Sequence, residues 1–132
     1  MPVFSLRSRG SWGIGDFGDL RQFIHWAADT GLHAVQLLPI NDTTTEGGWG
    51  DSYPYNSLSV YALHPVYLDP REWSKSKAFA QYADEAALLN EAQELEYPDV
   101  FRVKMAFAHA LFQEIGARTA RTKDYKAFVA DN

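Results

Sequence analysis

The chain has 132 residues, with 12 lysines and arginines against 17 aspartates and glutamates, which gives a formal net charge of -5 at pH 7. This length fits one domain, and an apolar fraction of 46% is enough for a packed core. The acidic balance argues against a nucleic-acid partner, because phosphates would be repelled. The absence of cysteine excludes disulfides and thiolate metal sites.

Local patterns disfavour three further classes: secreted, membrane and metal-binding proteins. Residues 1–11 lack the apolar core of a secretion signal, and no apolar run approaches the ~20 residues of a membrane helix. The four histidines are scattered, with no pair four residues apart, so no metal site is expected. We therefore expect a soluble, cytoplasmic protein with no membrane partner, no metal and no cofactor, and the sequence leaves the oligomeric state open.

The first third of the chain predicts a strand, a helix and a second strand. Residues 3–6 are a short apolar stretch, and Asp16 is a suitable cap for a helix whose apolar residues then recur at helical spacing. Gly31 stands where such a helix would end. Residues 33–40 form a near-continuous apolar run, typical of a strand buried on both faces. This order predicts a right-handed βαβ unit of a parallel sheet.

The second half of the chain predicts helices. Residues 78–93 are rich in alanine, leucine, glutamate and glutamine, which favour helix formation. A second helix is expected from Asp99 to a stop at Gly116, with an apolar stripe that indicates core packing rather than a binding groove. A third helical pattern opens near Lys123 and continues to Asn132. From this pattern we expect the sequence to be a fragment of a longer chain.

Residues 41–56 predict a long loop, since they are crowded with threonine, glycine, aspartate and serine. Long loops in compact domains are usually functional. Within the loop, residues 51–55 (DSYPY) set aromatic rings beside small polar groups, a combination that suits a sugar. Alternatively, the tyrosines pack the loop onto the core while Asp51 and Ser52 bond the turn backbone. The residues alone leave both interpretations open. His64 follows closely enough to reach a ligand held by the loop.

Residues 13–18 (GIGDFG) match the spacing of a dinucleotide-binding motif. Two physical arguments weigh against that function. The residues directly before the motif are not a hydrophobic strand, and the Asp16 carboxylate at a helix N-terminus would repel a pyrophosphate. We interpret the motif as a tight turn into a helix, with a nucleotide-binding βαβ unit as the weaker alternative.

Several separated segments, in the same order, resemble the opening of the 4-α-glucanotransferases of the amylomaltase (disproportionating enzyme) type, glycoside hydrolase family 77. They are residues 5–8 (SLRS), 12–20 (WGIGDFGDL), 36–42 (QLLPIND), 51–55 (DSYPY) and 57–65 (SLSVYALHP). The likeness is strong from Phe4 to about Asp69 and weaker, mainly helical, to Asn132.

The resemblance implies an α/β fold, the N-terminal part of a (β/α)8 TIM barrel that a chain of this length leaves incomplete. Residues 1–70 would supply the first βαβ unit and the sugar-binding loop, and residues 71–132 a helical insertion. The family transfers pieces of α-1,4-glucan to a sugar acceptor with retention, using an aspartate nucleophile, a glutamate acid/base and a second aspartate. In the family these lie far downstream, so we assign no catalytic residue to this chain.

The same resemblance assigns the sugar contacts. It implies that Tyr55 stacks near the cleavage point, that Asp51 and Ser52 share its loop, and that Asn41 and Asp42 shape that loop less directly. The expected residues for binding an α-1,4-glucan or maltooligosaccharide are Asn41, Asp51, Ser52, Tyr53, Tyr55 and His64. We expect the isolated chain to be inactive. The alternative is a non-catalytic carbohydrate-binding module.

Overall fold

A computed structural model describes residues 1–132, and its regular secondary structure is helical. The four α-helices are α1 (Phe17–Asp29), α2 (Lys77–Glu91), α3 (Tyr97–Thr119) and α4 (Lys123–Asp131). Four short 3-10 turns lie at Val3–Leu6, Trp49–Ser52, Pro65–Tyr67 and Pro70–Trp73. None of the helices has both the length and the hydropathy needed to cross a membrane.

The predicted α/β fold, with a first βαβ unit of a barrel, is wrong. Residues 3–6 form a 3-10 turn, and residues 33–40 have no regular secondary structure and no fully buried side chain. The one β pairing is an isolated antiparallel bridge between Asn41 and Leu63. There is therefore no sheet, parallel or otherwise.

The missing strand has a physical cause. A strand forms only when a neighbouring strand satisfies its backbone N–H and C=O groups. Within this chain, residues 33–40 make only three such contacts: the Met1 ammonium group donates to the Gln36 carbonyl, the Leu38 N–H donates to the Met1 carbonyl, and the His64 N–H donates to the Ile40 carbonyl. The sequence of residues 33–40 is indeed apolar, but an apolar sequence does not by itself provide a neighbouring strand.

Helix α1 begins and ends where the sequence predicts. The Asp16 carboxylate accepts hydrogen bonds from the N–H groups of Gly18 and Asp19, and the Asp19 carboxylate accepts from the Asp16 N–H, which completes a capping box. At the other end, Gly31 has a φ of 84°, and its N–H donates to the Ala28 carbonyl at 3.0 Å. Glycine adopts this conformation without the penalty that a Cβ would bring.

Helices α2 and α3 pack against each other, and the apolar stripe of α3 is buried as predicted. Val103, Phe107 and Leu111 lie in this core, together with Trp12 from the N-terminal segment. The Trp12 ring centroid lies 5.2 Å from that of Phe79 and 5.0 Å from that of Phe107. The core therefore ties the N-terminal segment to both helices.

The predicted stop of α3 at Gly116 is wrong, because the helix continues to Thr119. Glycine inside a helix costs about 1 kcal/mol relative to alanine, but it ends a helix only where the backbone turns to positive φ. Gly116 does not have a positive φ, and a Cβ there would meet the Phe112 ring at 2.6 Å.

A cluster of five buried or partly buried charges, here called the ion cluster, joins α1 and α3 to the Pro70–Trp73 turn. Its members are Asp16, Asp19, Asp69, Arg71 and Lys104. The Arg71 guanidinium donates to all three carboxylates, at 2.6 Å to Asp16, 3.0 Å to Asp19 and 2.6 Å to Asp69. Charge-assisted hydrogen bonds of this kind are the strongest in proteins and fix the relative positions of the segments that carry them.

Close packing at three positions explains the glycine motif of residues 13–18. Gly13 has a φ of 77°, a Cβ on Gly15 would overlap the carbonyl oxygen of Val3, and a Cβ on Gly18 would overlap the Asp69 carboxylate. The N-terminal N–H groups of α1 are occupied by the Asp16 side chain. These contacts argue against a pyrophosphate at this helix and favour the tight-turn interpretation.

The close approach at Gly15 gives a stability prediction. Gly15→Ala should lower the free energy of unfolding by about 2 kcal/mol or more, because the new methyl group meets backbone rather than a movable side chain. Gly48→Ala is the control: Gly48 has a φ of -94° with open space around it, so its change should stay within about 0.5 kcal/mol. Urea denaturation measures both. Equal losses of stability in the two variants would contradict the close contact between Gly15 and the Val3 backbone.

Candidate functional site

The loop of residues 41–56 and the start of α3 enclose a cavity of about 160 Å³. Phe4, Ile14 and Pro39 give it an apolar wall. The polar and aromatic wall is formed by Asn41, Thr43, Trp49, Asp51, His64 and Tyr97. This volume lies below the ~300–1,000 Å³ of pockets that enclose a drug-sized ligand. The cavity is therefore too small to enclose a ligand of that size.

Asp51 is buried beneath the loop and organises it. Its carboxylate accepts hydrogen bonds from the backbone N–H groups of Thr45, Glu46 and Gly47, at 3.0, 3.0 and 2.7 Å, and from the Thr45 hydroxyl. The hydrogen bond from the Thr45 hydroxyl, helped by the backbone donors, lowers the pKa of Asp51 to about 2. This is the turn-bonding role that the sequence left open. Direct sugar binding by Asp51 stays a prediction.

His64 forms the floor of the cavity together with Tyr97. Its Nε2 lies 2.9 Å from the Tyr97 hydroxyl, and its Nδ1 accepts the Val66 N–H at 3.2 Å. Because Nδ1 is an acceptor, the neutral ring carries its proton on Nε2 and donates it to Tyr97. Burial lowers the pKa of His64 and raises the pKa of Tyr97, so both groups are uncharged at neutral pH.

Tyr53 and Tyr55 lie side by side on the surface next to the cavity. Their ring centroids are 5.5 Å apart, and the residues are 56% and 59% exposed. Rings this exposed do not pack the loop against the core, which was the alternative that the sequence left open for them. They are instead available to an external ligand.

Asn41 and Ser52 are half-buried at the cavity wall. The Asn41 side-chain amide donates to the carbonyls of Val60 and Ala62, at 2.9 and 3.4 Å, and the Ser52 hydroxyl donates to the Trp49 carbonyl at 2.8 Å. Both side chains thus hold loop backbone. The structure brings Asn41, Asp51, Ser52 and His64 to one cavity, with Tyr53 and Tyr55 outside its lining.

Sequence reasoning missed four aromatic residues that line the cavity, Phe4, Trp49, Tyr67 and Tyr97. The ring centroids of Trp49 and Tyr97 lie 6.4 Å apart, and Trp49 is 55% exposed. Trp49 belongs to the predicted loop, so the aromatic and polar composition of that loop could have indicated it. Tyr97 begins α3, 42 positions after Tyr55, and no local pattern connects it with the loop. Only the tertiary fold brings Tyr97 to the cavity.

The carboxylates of this region are poorly suited to acid–base chemistry. Burial acts to raise the pKa of Asp42, but hydrogen bonding from Thr44, whose N–H donates to the carboxylate, lowers it, while the pKa of Asp51 is about 2. A general acid needs a raised pKa to be protonated at neutral pH. Neither aspartate meets this requirement. No group of three or more histidine or carboxylate side chains is arranged to bind a metal ion.

A family profile described as 4-alpha-glucanotransferase, glycoside hydrolase family 77, matches residues 1–132. The chain belongs to the 4-alpha-glucanotransferase family. This confirms the family resemblance drawn from the five separated sequence segments.

Curated relatives of the family agree with this assignment. The chain is 37% identical to the 4-alpha-glucanotransferase DPE2 of rice over 134 residues, which cover 100% of the chain and 14% of the rice protein. It is 37% identical to the 4-alpha-glucanotransferase of Chlamydia caviae over 137 residues, covering 97% of the chain and 24% of that protein. The chain thus spans less than a quarter of the length of these two relatives.

The buried His64 predicts a pH-dependent stability. Its folded-state pKa is lowered, so its contribution is present above the ordinary value of 6.5 and is lost as the pH falls through the folded-state pKa. Each unit of pKa depression corresponds to about 1.4 kcal/mol. Between pH 7.5 and 5, the urea midpoint of His64→Gln should therefore fall less than that of the wild type. His25→Gln, on the exposed surface of α1, should keep the wild-type slope. If the urea midpoint of His64→Gln depends on pH as that of the wild type does, the buried neutral imidazole does not cause the loss of stability at low pH.

Proposed function

We propose that this chain forms part of the sugar-binding surface of an enzyme that transfers α-1,4-glucan segments to a sugar acceptor with retention. Family membership supports the activity. The observation that carries the role of this segment is the pair of exposed rings, Tyr53 and Tyr55, beside a cavity lined by hydrogen-bonding groups. The glucan would lie over the rings and extend one end toward the cavity.

Chemistry supports a sugar as the ligand of this surface. A glucose ring presents C–H groups that pack on aromatic faces, and its hydroxyls need directed donors and acceptors. Trp49, Tyr53 and Tyr55 offer three exposed aromatic side chains within one seven-residue stretch. The Tyr97 hydroxyl and the His64 imidazole offer polar atoms at the cavity floor.

In this proposal the chain binds the glucan but does not itself cleave the glycosidic bond. The three backbone N–H groups and the hydroxyl that surround Asp51 occupy its carboxylate, which removes it as a nucleophile and as an acid. The same observation favours a second candidate, a non-catalytic carbohydrate-binding module. Both candidates predict binding without turnover by the isolated chain, so they are separated by the transfer experiment below.

Replacing the exposed ring tests the binding role. Tyr55→Ala should weaken maltotriose binding about fivefold, since losing a stacked aromatic anchor costs about 1 kcal/mol. Its melting temperature should change little, because the ring is 59% exposed. Chemical-shift titration with maltotriose measures the affinity, and thermal unfolding measures the stability.

Two controls sharpen this experiment. Tyr61→Ala removes a tyrosine that is 94% exposed and outside the cavity lining, and it should bind maltotriose like the wild type. Cellotriose, with β-1,4 links, tests whether the surface distinguishes the linkage. Equal loss of affinity in both variants, or a loss of stability in Tyr55→Ala that matches its loss of affinity, would assign Tyr55 a packing role instead.

The transfer activity requires a separate experiment. We expect no disproportionation products when the 132-residue chain is incubated with maltotriose, because its cavity holds no carboxylate free for catalysis. A chimera of the Chlamydia caviae relative, with this chain in place of the 137 aligned residues, should form longer maltooligosaccharides. Products from the chain alone would contradict the assignment. A folded chimera without transfer activity would favour the binding module.

A further inference from the structure

A second cleft lies between residues 72–76, which lead into α2, and the end of α3. Its volume is about 520 Å³, within the ~300–1,000 Å³ of pockets that enclose a small molecule. It shares no lining residue with the cavity beneath the loop. Its side chains combine an aromatic ring with charged and hydroxyl groups: Glu72, Trp73, Ser74, Lys75, Glu114 and Arg118. The cleft is therefore large enough for a small polar ligand of its own.

Arg118 is one of two cations in this cleft, and it has no acidic partner. Glu114 and Arg118 are four residues apart on α3, the spacing at which opposite charges pair on a helix. The Glu114 carboxylate instead accepts the backbone N–H groups of Lys77 and Ala78, at 3.3 and 3.0 Å, and so caps the start of α2. Arg118 consequently forms no ion pair.

Lys75, the other cation of the cleft, is also without an acidic partner. Its sequence neighbour Glu72 pairs with Arg21 of α1 instead, at 2.8 Å. Lys75 lies one residue before the Ser76 N-cap of α2, where the positive end of the helix dipole disfavours a cation. Two cations thus remain without ion-pair partners in one cleft, although the chain as a whole carries a net charge of -5.

The two cations match a phosphate monoester. Such a group carries about -1.5 to -2 charges at neutral pH and has three strong acceptor oxygens. An arginine guanidinium group binds two of these oxygens in parallel, and a lysine ammonium group adds a point charge. Both Arg118 and Lys75 are exposed, so a phosphate reaches them from solvent.

The rest of the cleft suits a sugar ring. The C–H face of a sugar packs on an indole such as that of Trp73, and sugar hydroxyls donate to carboxylates. A carboxylate has about four acceptor positions, so Glu114 keeps some free beside its two backbone donors. An acidic peptide fits less well, because its several carboxylates would also meet those of Glu72 and Glu114. A sugar phosphate instead places its charge at one end and its hydroxyls at the other.

We propose that this cleft is a second ligand site, which binds a phosphorylated sugar with its phosphate on Arg118 and Lys75 and its ring on Trp73. The site is independent of the glucan binding proposed for the loop, since the two share no lining residue. The same chemistry occurs in a free sugar phosphate and in a phosphorylated unit of a glucan, and the two sources are separated by titrating both.

A chemical-shift titration of the 132-residue chain with glucose 6-phosphate tests this proposal. The backbone signals of residues 72–78 and 114–118 and the indole signal of Trp73 should shift, with a dissociation constant in the millimolar range or below. Raising NaCl from about 20 to about 200 mM should weaken the binding about threefold or more, because salt screens charges at an exposed site. The absence of these shifts at millimolar ligand, or an affinity that does not depend on salt, would overturn the proposal.

Three further ligands separate the contributions of phosphate and sugar. Glucose and inorganic phosphate should each bind at least about tenfold more weakly than glucose 6-phosphate, because each lacks one half of the contacts. Equally tight binding of inorganic phosphate would make the cleft a general anion site, and equally tight binding of glucose would make it a neutral-sugar site. Equally tight binding of hexaglutamate would assign it to acidic peptides. Each of these three results would overturn the proposal.

A maltotetraose that carries one 6-phosphate identifies the source of the ligand. Binding tighter than that of glucose 6-phosphate assigns the cleft to a phosphorylated glucan. Equal or weaker binding assigns it to a free sugar phosphate. Both results support a site for phosphorylated sugars.

Substitutions of the two cations test their assignment. Arg118→Gln should weaken glucose 6-phosphate binding about tenfold, because a bidentate charge-assisted contact is lost. Lys75→Gln should weaken it about threefold, since an ammonium group acts as a single point charge. The matched control is Arg9→Gln, which removes an exposed arginine outside the cleft and should bind like the wild type. Unchanged affinity in Arg118→Gln, or an equal loss in Arg9→Gln, would contradict the assignment.

Discussion

The buried ion cluster is the constraint on which the rest of this structure depends. Arg71 holds Asp16, Asp19 and Asp69 at hydrogen-bonding distance, and Lys104 joins α3 to the same cluster. Removing Arg71 would leave the Asp16, Asp19 and Asp69 carboxylates without their shared donor, at a cost of roughly 3–5 kcal/mol. The cluster therefore imposes one arrangement on the N-terminal turn, the Pro70–Trp73 turn and helix α3.

That arrangement gives the candidate site two unlike sides. On the buried side, the Lys104 hydrogen bonds hold the turn that orients His64. On the exposed side, Tyr53 and Tyr55 stand on a loop whose backbone is held by the Asp51 carboxylate and by the side chains of Asn41 and Ser52. The proposed binding of an extended ligand rests on this pairing of a buried polar side with open aromatic rings.

The candidate site was only partly accessible from the sequence. Composition located the loop and its tyrosines, because rings beside small polar groups form a local pattern. The role of Asp51 was undecidable at that level, since a carboxylate is suited equally to binding a sugar or to capping a turn. Three backbone N–H donors in the folded loop show that it caps the turn, while sugar binding by Asp51 stays a prediction. Tyr97 reaches the cavity from helix α3, and no spacing in the sequence predicts that.

The sequence by itself determined the four α-helices to within a few residues, because caps, helix-forming residues and apolar spacing act over one or two turns of chain. It also determined the family, through short ordered segments. Only the tertiary structure decided the fate of residues 33–40, since an apolar run becomes a strand only beside a partner. It likewise decided the meaning of Gly15 and Gly18, whose missing side chains leave room for Val3 and Asp69. Contacts between residues far apart in the chain, which no local pattern contains, settle such questions.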